Sequence, residues 1–300
     1  MADQVLPDSD WTLRAGAHRA RVDAFVEPHR ARSRRAERHP VWDFLFTYYS
    51  LRFGQLRVWH PGYGVVLQGA GATRYLDRAG YVERALGVTV SAEYLHSRIA
   101  TVRFISGLLR ATQGRTPRFN CFGLHEWAMV YRSDTPRHGT PLRLGASGTD
   151  RVVESIPLRC SHFDAYRFFT PAAVPRNSGA PARTTQSDWE QPGCLHANMD
   201  LYKWCYKLGP LAASELVMDC LRLAASAREL DMRASPYDLT EFGFEPIAIE
   251  EPDGRAEYIR EQGVIALRAA PLRASLADLC ERLLIGAMET SAILPAGTMD

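Results

Sequence analysis

The stretch Leu195-His-Ala-Asn-Met-Asp-Leu-Tyr-Lys-Trp-Cys-Tyr-Lys-Leu208 is the clearest helix in the sequence and decides the fold class. Its apolar side chains recur three or four residues apart, the spacing that places side chains along one face of an α-helix. Gly209 and Pro210 follow directly, and such a pair typically ends a helix. The stretch therefore predicts an amphipathic helix rather than a strand.

Most of the remaining chain also shows helical spacing. Further helices are predicted over residues 11–28, 40–49, 72–110 (broken near Gly87), 214–230 and 259–284 (interrupted near Pro271). Extended chain is expected over residues 63–70 and 152–169, with a hairpin over 244–258. We therefore expect a mainly α (α+β) fold, a helical globular domain with a small β element.

The length of 300 residues fits one large domain or two small ones. We expect a single globular catalytic domain over residues 10–286, with flexible tails at 1–9 and 287–300. A long loop is predicted over residues 171–193, which hold four prolines and two glycines.

The composition excludes several classes of protein. The chain is 46% apolar and 23% charged, with a formal net charge of +2 and no run of about 18 apolar residues. No basic segment followed by an apolar stretch opens the chain, so we expect a cytoplasmic protein with no membrane partner. The six cysteines form no CxxC pair, which argues against a disulfide framework and against a cysteine-based zinc site. No Walker loop, Rossmann glycine pattern, HExxH or GxSxG motif is present.

Three short segments each pair a histidine with an acid beside aromatic residues. Imidazole and carboxylate are the usual groups for metal binding and for general acid–base chemistry. Three such pairs so close in sequence are hard to attribute to packing alone, and they indicate an enzyme. The pairs are His125 with Glu126, His162 with Asp164, and His196 with Asp200.

His196 and Asp200 lie four residues apart on the predicted helix and therefore share a face. In the functional interpretation, His196 is a metal ligand or a base, and Asp200 orients it or serves as a second ligand. The alternative is a polar stripe on the surface.

His162 and Asp164 would point to one side if their segment is a strand, together with Cys160 and Tyr166. A His-x-Asp pair on a strand can hold a non-haem iron when a distant histidine, here His196, completes the set. His125 and Glu126 are adjacent, so at most one of them is expected to enter the same site. The alternative for each histidine is a core position in which the ring bonds to a backbone carbonyl.

Four strings in the sequence resemble a bacterial family of about this length that is labelled 3-methyladenine DNA glycosylase, and the likeness covers roughly residues 10–285. The strings are His39-Pro-Val-Trp-Asp-Phe-Leu-Phe-Thr-Tyr-Tyr-Ser50, Cys121-Phe-Gly-Leu-His-Glu-Trp-Ala-Met-Val-Tyr131, Cys160-Ser-His-Phe-Asp-Ala-Tyr-Arg-Phe-Phe169 and Leu195-His-Ala-Asn-Met-Asp-Leu-Tyr-Lys-Trp204.

The resemblance implies a DNA partner and the excision of alkylated bases. Such an enzyme flips the damaged base, stacks it on aromatic rings and cleaves the glycosidic bond with the help of a carboxylate. Asp164 or Glu126 would be the catalytic acid. The residues that would bind the base are Trp127, Tyr166, Tyr202 and Arg167, and those that would contact phosphate are Arg34, Arg35, Arg52 and Arg57.

Residue chemistry alone supports a second hypothesis, a metal-dependent enzyme that acts on a small molecule. Iron or zinc would be bound by ligands drawn from His125, His162, Asp164 and His196, with Asp200 or Glu126 next to them. Both hypotheses expect the three imidazoles to converge on one pocket, because a buried imidazole without a partner costs a few kcal/mol.

Overall fold

A computed structural model describes residues 4–133 and 139–293, with side chains described through residue 289. Helices make up most of these residues. The mainly α fold with a small β element is therefore confirmed. The strands are β1 (Gln4–Leu6), β2 (Val65–Leu67), β3 (Tyr81–Arg84) and β4 (Gly87–Val90). The helices are α1 (Asp8–Arg34), α2 (Phe44–Thr47), α3 (Phe53–Leu56), α4 (Ala92–Gln113), α5 (Leu124–Ala128), α6 (Gly145–Ser155), α7 (Phe163–Tyr166), α8 (Gln186–Trp189), α9 (Leu195–Leu208), α10 (Ser214–Arg233) and α11 (Pro252–Ile293). Short 3₁₀ turns cover Ala70–Tyr75, Val174–Arg176, Arg183–Thr185, Gly209–Leu211 and Thr240–Phe242.

Four long helices form the core that holds the site. α11 packs on α4, α9 and α10, and α10 packs on α9. Leu201 and Cys205 of α9 are fully buried, as are Met218 and Leu221 of α10. Burying a side chain of this size contributes about 1.5–3 kcal/mol, so the seam between α9 and α10 is a firm base for the residues that α9 carries.

Local sequence explains where two of these helices start and stop. Ser91 caps α4, because its side-chain oxygen accepts a hydrogen bond from the Tyr94 backbone N–H at 3.0 Å. α9 covers the predicted residues and ends at Gly209, whose positive φ of 59° favours glycine.

The small sheet has the strand order β1-β2-β4-β3. β1 runs parallel to β2, whereas β4 is antiparallel to both β2 and β3. Gly87 begins β4 with φ of 138°, and a Cβ there would lie 2.3 Å from the Leu67 carbonyl oxygen. The sheet therefore needs glycine at this position.

Several predicted elements are corrected. Residues 4–9 form β1 and the start of α1 rather than a tail, and residues 72–110 hold a 3₁₀ turn and the β3–β4 hairpin before α4. The hairpin predicted over residues 244–258 is wrong, because Pro252 begins α11, where its missing N–H costs nothing. The extended chain over 152–169 is largely wrong, since α6 and α7 occupy much of it.

Prolines misled the prediction of helix ends. α1 continues through Pro28 to Arg34, and α11 continues through Pro271. The helix predicted over residues 40–49 shrinks to the single turn of α2. The predicted 171–193 loop contains three short helical turns. The predicted tail over residues 287–300 is wrong as far as Ile293, where α11 ends, and its remainder lies outside the described residues. None of the helices in the described residues is both long and apolar enough to cross a membrane.

Candidate metal centre

The three predicted histidines meet in the interior. The ring of His196 lies edge to face against the ring of His125, with centroids 4.3 Å apart, and 5.3 Å from the ring of His162. The three rings therefore lie together as expected, but of the three only His125 and His196 line a cavity at the site. His125 comes from α5, His162 immediately precedes α7, and His196 lies in the first turn of α9.

Unusual backbone angles place His125. Phe122 and Gly123 both have positive φ, 48° and 67°, immediately before α5. A positive φ is strained for phenylalanine, and strain of this kind persists only where the surrounding packing holds it. A Cβ on Gly123 would lie 3.4 Å from Ala234, so the turn is also pressed against the end of α10. A strained turn therefore directs α5 toward the interior of the protein.

A first donor set consists of His125, His196 and Asp231, whose ligand atoms all lie within 4.8 Å of one another. His125 Nε2 is 3.0 Å from Asp231 Oδ1, and His125 and Asp231 are 6% and 0% exposed. The angles do not meet hydrogen-bond geometry, and neither atom has another hydrogen-bond partner among the described residues. The two atoms therefore form a close buried ion pair that lacks hydrogen-bond geometry.

Burial and neighbouring charges shift the pKa values of the residues in the first donor set. Burial lowers the pKa of His125, but the Asp231 carboxylate outweighs it and the net pKa is raised. Burial and the neighbouring His125 hold the pKa of His196 well below its usual range. Burial raises the pKa of Asp231, but His125 and other nearby cationic groups lower it by more. The net pKa is far below the usual range. At neutral pH His196 is a free imidazole and Asp231 a carboxylate, which are the forms that bind metal.

A second donor set consists of His162, Glu190 and Asp200, again with ligand atoms within 4.8 Å. His162 Nε2 lies 3.3 Å from Glu190 Oε1 and 3.3 Å from Asp200 Oδ2. All three side chains are at most 2% exposed. Within the described part of the chain, neither ring nitrogen of His162 has a hydrogen-bond partner.

Two buried cations flank the donor sets. Arg228 Nη1 donates to Glu126 Oε1 at 2.8 Å and to Asp231 Oδ2 at 3.1 Å. Lys203 Nζ contacts Asp200 Oδ2 and donates to Asp164 Oδ2 at 2.9 Å. Each cation joins one donor carboxylate to one carboxylate outside the donor sets, which fixes the orientation of both.

His196 borders two cavities. One, of about 20 Å³, is lined by His125, Phe169 and Tyr258 together with three thiols, and we call it the thiol cavity. The other, of about 80 Å³, is lined by Phe44, Tyr48, Phe168, Glu126 and Asp164 among others, and we call it the aromatic cavity. The thiols of the first are Cys121, Cys160 and Cys194.

The cavity thiols stay protonated. Burial raises the pKa of Cys160 to about 12, and it also raises the pKa of Cys121 and of Cys194. Because a thiolate is the form that binds metal or attacks a substrate, these residues act as small apolar walls at neutral pH.

Asp164 lies outside both donor sets. Its segment becomes helical at Phe163, and side chains two apart on a helix do not face the same way. Its two oxygens accept hydrogen bonds from Arg183 at 2.7 Å and from Lys203 at 2.9 Å. The predicted His-x-Asp ligand pair is therefore split: His162 faces a donor set and Asp164 faces cations.

The residues expected to bind a base are mostly packed in the core. Trp127 is fully buried and its Nε1 donates to the Ala234 carbonyl at 2.8 Å. Tyr202 is 1% exposed and packs against Tyr49. Tyr166 is half-buried against Phe169, and Arg167 is exposed, 3.3 Å from Asp164.

The arginines expected at phosphate lie on the surface, away from the histidines. Arg34, Arg35 and Arg57 pair with Glu27, Glu37 and Asp23, and Arg52 is exposed. Exposed pairs of this kind are weak.

Sequence reasoning missed two of the six donors, Glu190 and Asp231. Asp231 follows Cys220, Ala224 and Ala227 at helical spacing, so its place on a buried stripe of α10 was a usable signal. Glu190 follows α8 in a segment of small and polar residues, and nothing in its local pattern distinguishes it.

Scans with protein-family models and searches of curated proteins and of solved structures found no match to this chain. The function is therefore argued from the geometry of the site.

Proposed function

We propose that the protein is a metal-dependent enzyme that acts on a small molecule, with an ion bound by His125, His196 and Asp231. The observation that carries this proposal is the buried pair His125 Nε2 and Asp231 Oδ1, which lie 3.0 Å apart while neither atom makes a hydrogen bond among the described residues.

The spacing fits two ligands of one ion. Ligand atoms about 2.1 Å from a metal lie about 3.0 Å apart when they meet it at a right angle. Two imidazoles and one carboxylate suit iron(II) or zinc, and such a set leaves positions open for water or substrate. An ion in this position would polarise a bound oxygen or activate a water molecule.

Neighbouring residues can serve a reaction at this place. Glu126 Oε2 is buried and has no hydrogen-bond partner among the described residues, so it can accept a proton while Arg228 holds the other oxygen. The two cavities that border His196 measure about 20 and 80 Å³, which favours a small substrate.

The test is elemental analysis of tag-free protein and of its His196→Ala variant. We expect near-stoichiometric iron or zinc in the native protein and at least a tenfold loss of affinity in the variant. His18→Gln is the control, because His18 is a fully buried histidine outside both donor sets, whose ring bonds to the Leu56 carbonyl. Less than about a tenth of an equivalent of any transition metal, with no uptake on reconstitution, would reject the proposal.

A second candidate, excision of alkylated bases, is supported by the aromatic cavity. Glu126 and Asp164, the two carboxylates expected to act in that reaction, both line it beside Phe44 and Tyr48. A cationic alkylated purine would be favoured between aromatic rings. Purified protein would then release methylated base from alkylated duplex, and Glu126→Gln would release less. No release from the native protein would reject this candidate.

A further inference from the structure

We propose that a second metal ion binds His162, Glu190 and Asp200, so that the centre is dinuclear. This inference rests on the proposed function, because it extends the same site. It is carried by the geometry, the unpartnered histidine and the charges of the second donor set.

The geometry of the second donor set resembles a coordination shell. Ligands about 2.1 Å from an ion lie about 3.4 Å apart at the tetrahedral angle. His162 Nε2 is 3.3 Å from Glu190 Oε1 and 3.3 Å from Asp200 Oδ2, so three donors from three separate segments surround one point. His162 Nε2 meets neither carboxylate with hydrogen-bond geometry.

His162 is the unpartnered polar group that points to a ligand. It is 1% exposed, and neither of its ring nitrogens has a hydrogen-bond partner among the residues described. A buried polar group without a hydrogen-bond partner is destabilising, because it has lost its hydrogen bonds to water. An ion at Nε2 removes most of that cost.

Charge also favours an ion in each donor set. In the first, Glu126 and Asp231 both pair with Arg228, and Asp231 also lies 3.0 Å from His125. In the second, Lys203 pairs with Asp200, while Glu190 has His162 as its only ion-pair partner among the described residues.

Groups around Glu190 do not supply the missing cation. Gln186 donates to Glu190 Oε1 at 2.5 Å, and Arg273, the buried guanidinium whose charge reaches Glu190, donates to Asn198 instead. Glu190 is therefore a buried carboxylate with no lysine or arginine partner among the described residues, an arrangement that is costly unless a cation binds.

His196 connects the two positions. Its ring touches that of His125 and lies 5.3 Å from that of His162, so the two donor sets are neighbours. Paired ions about 3.5–4 Å apart hold a bridging oxygen ligand between them. The ligand class we assign is a small molecule with an anionic oxygen, reached from the aromatic or the thiol cavity.

The experiment counts bound metal. Tag-free protein, stripped with a chelator, is titrated with cobalt(II), and bound metal is measured after gel filtration. We expect two equivalents in the native chain and one in Glu190→Gln. Glu250→Gln is the control, because Glu250 is a partly buried carboxylate paired with Arg143 away from the site.

The outcomes separate this inference from the proposed function. One equivalent in the native chain would overturn the second ion and leave the first, and none would overturn both. If Glu190→Gln does not fold, the native chain alone tests the inference. The electron paramagnetic resonance signal per cobalt should decrease as binding proceeds from the first to the second equivalent, because neighbouring ions couple. A signal that grows in proportion to bound cobalt through the second equivalent would contradict adjacent sites.

Discussion

Arg228 is a guanidinium that is only 1% exposed and binds two carboxylates. It also lies over the Phe44 ring, 4.2 Å from the centroid. A buried cation of this kind is weak evidence for net stability, but its removal leaves charges without a partner. The folded state should therefore be sensitive to substitution of Arg228.

We expect Arg228→Met to lower the free energy of unfolding by about 3–5 kcal/mol, because Glu126 and Asp231 would stay buried without their shared cation. Urea denaturation in the presence of a chelator measures the change. Arg222→Met on the same helix is the control: Arg222 is exposed, so its loss should cost no more than about 0.5 kcal/mol. A loss below about 1 kcal/mol at Arg228 would contradict the assigned role.

Residue chemistry allowed the three histidines and Asp200 to be predicted, because imidazoles beside acids and rings are unusual enough to stand out. Their partners could not be predicted in the same way. In the sequence, Glu190 and Asp231 resemble other acids, because only the fold places them beside the histidines. Asp164 was predicted as a ligand, but its position in a short helix directs it toward Lys203.

α9 carries much of the site within two turns. His196, Asp200 and Lys203 follow one another at spacings of four and three, so all three lie along one side of the helix. The sequence predicted α9 correctly, because its apolar spacing indicates a helix and the following glycine marks where that helix ends. α7 was not, since four helical residues leave too little periodicity to distinguish a turn from a strand.

α11 contains a proline at an exposed interior position, Pro271. Proline cannot donate to the carbonyl four residues earlier, and its ring crowds that carbonyl. The helix continues because Leu276, Cys280 and Leu283 beyond it are fully buried. Tertiary packing therefore outweighs the local cost of Pro271, a residue at which the sequence pattern predicts that the helix ends.

Pro271→Ala should raise the free energy of unfolding by about 1–3 kcal/mol, because alanine restores the missing hydrogen bond and no packing is lost at an exposed position. Chemical denaturation measures this gain. Ala270→Gly, also exposed, calibrates the helix and should cost about 1 kcal/mol. An unchanged or reduced stability in Pro271→Ala would mean that the helix uses the proline kink for packing.

His60 joins the sheet to the helical core. Its backbone N–H donates to Ser214 Oγ at 2.8 Å, and its Nδ1 lies 2.9 Å from Tyr81 Oη in β3. Burial lowers the pKa of His60 from about 6.5 to about 4. Between these values the unfolded chain binds this proton more tightly than the folded chain does, so stability rises with pH across this window.

The stability of the whole molecule should therefore fall as the pH drops from 6.5 toward 4, with His60 contributing about 2–3 kcal/mol. His60→Asn should flatten this part of the curve, because asparagine binds no proton. Unfolding free energies measured at several pH values for both proteins isolate the contribution from that of other groups. Curves that stay parallel from pH 4.5 to 7.5 would contradict it.

The six donor residues are spread along the chain from His125 to Asp231 and come from α5, the residue before α7, the residue after α8, α9 and α10. During synthesis at about 5–20 residues per second, His125 leaves the ribosome about 5–20 s before Asp231 does. The nascent chain thus exposes its imidazoles and three nearby thiols before Asp231, the carboxylate that completes the first donor set, has been synthesised. The proposed ion at His125, His196 and Asp231 would therefore bind only late, after α10 has docked on α9.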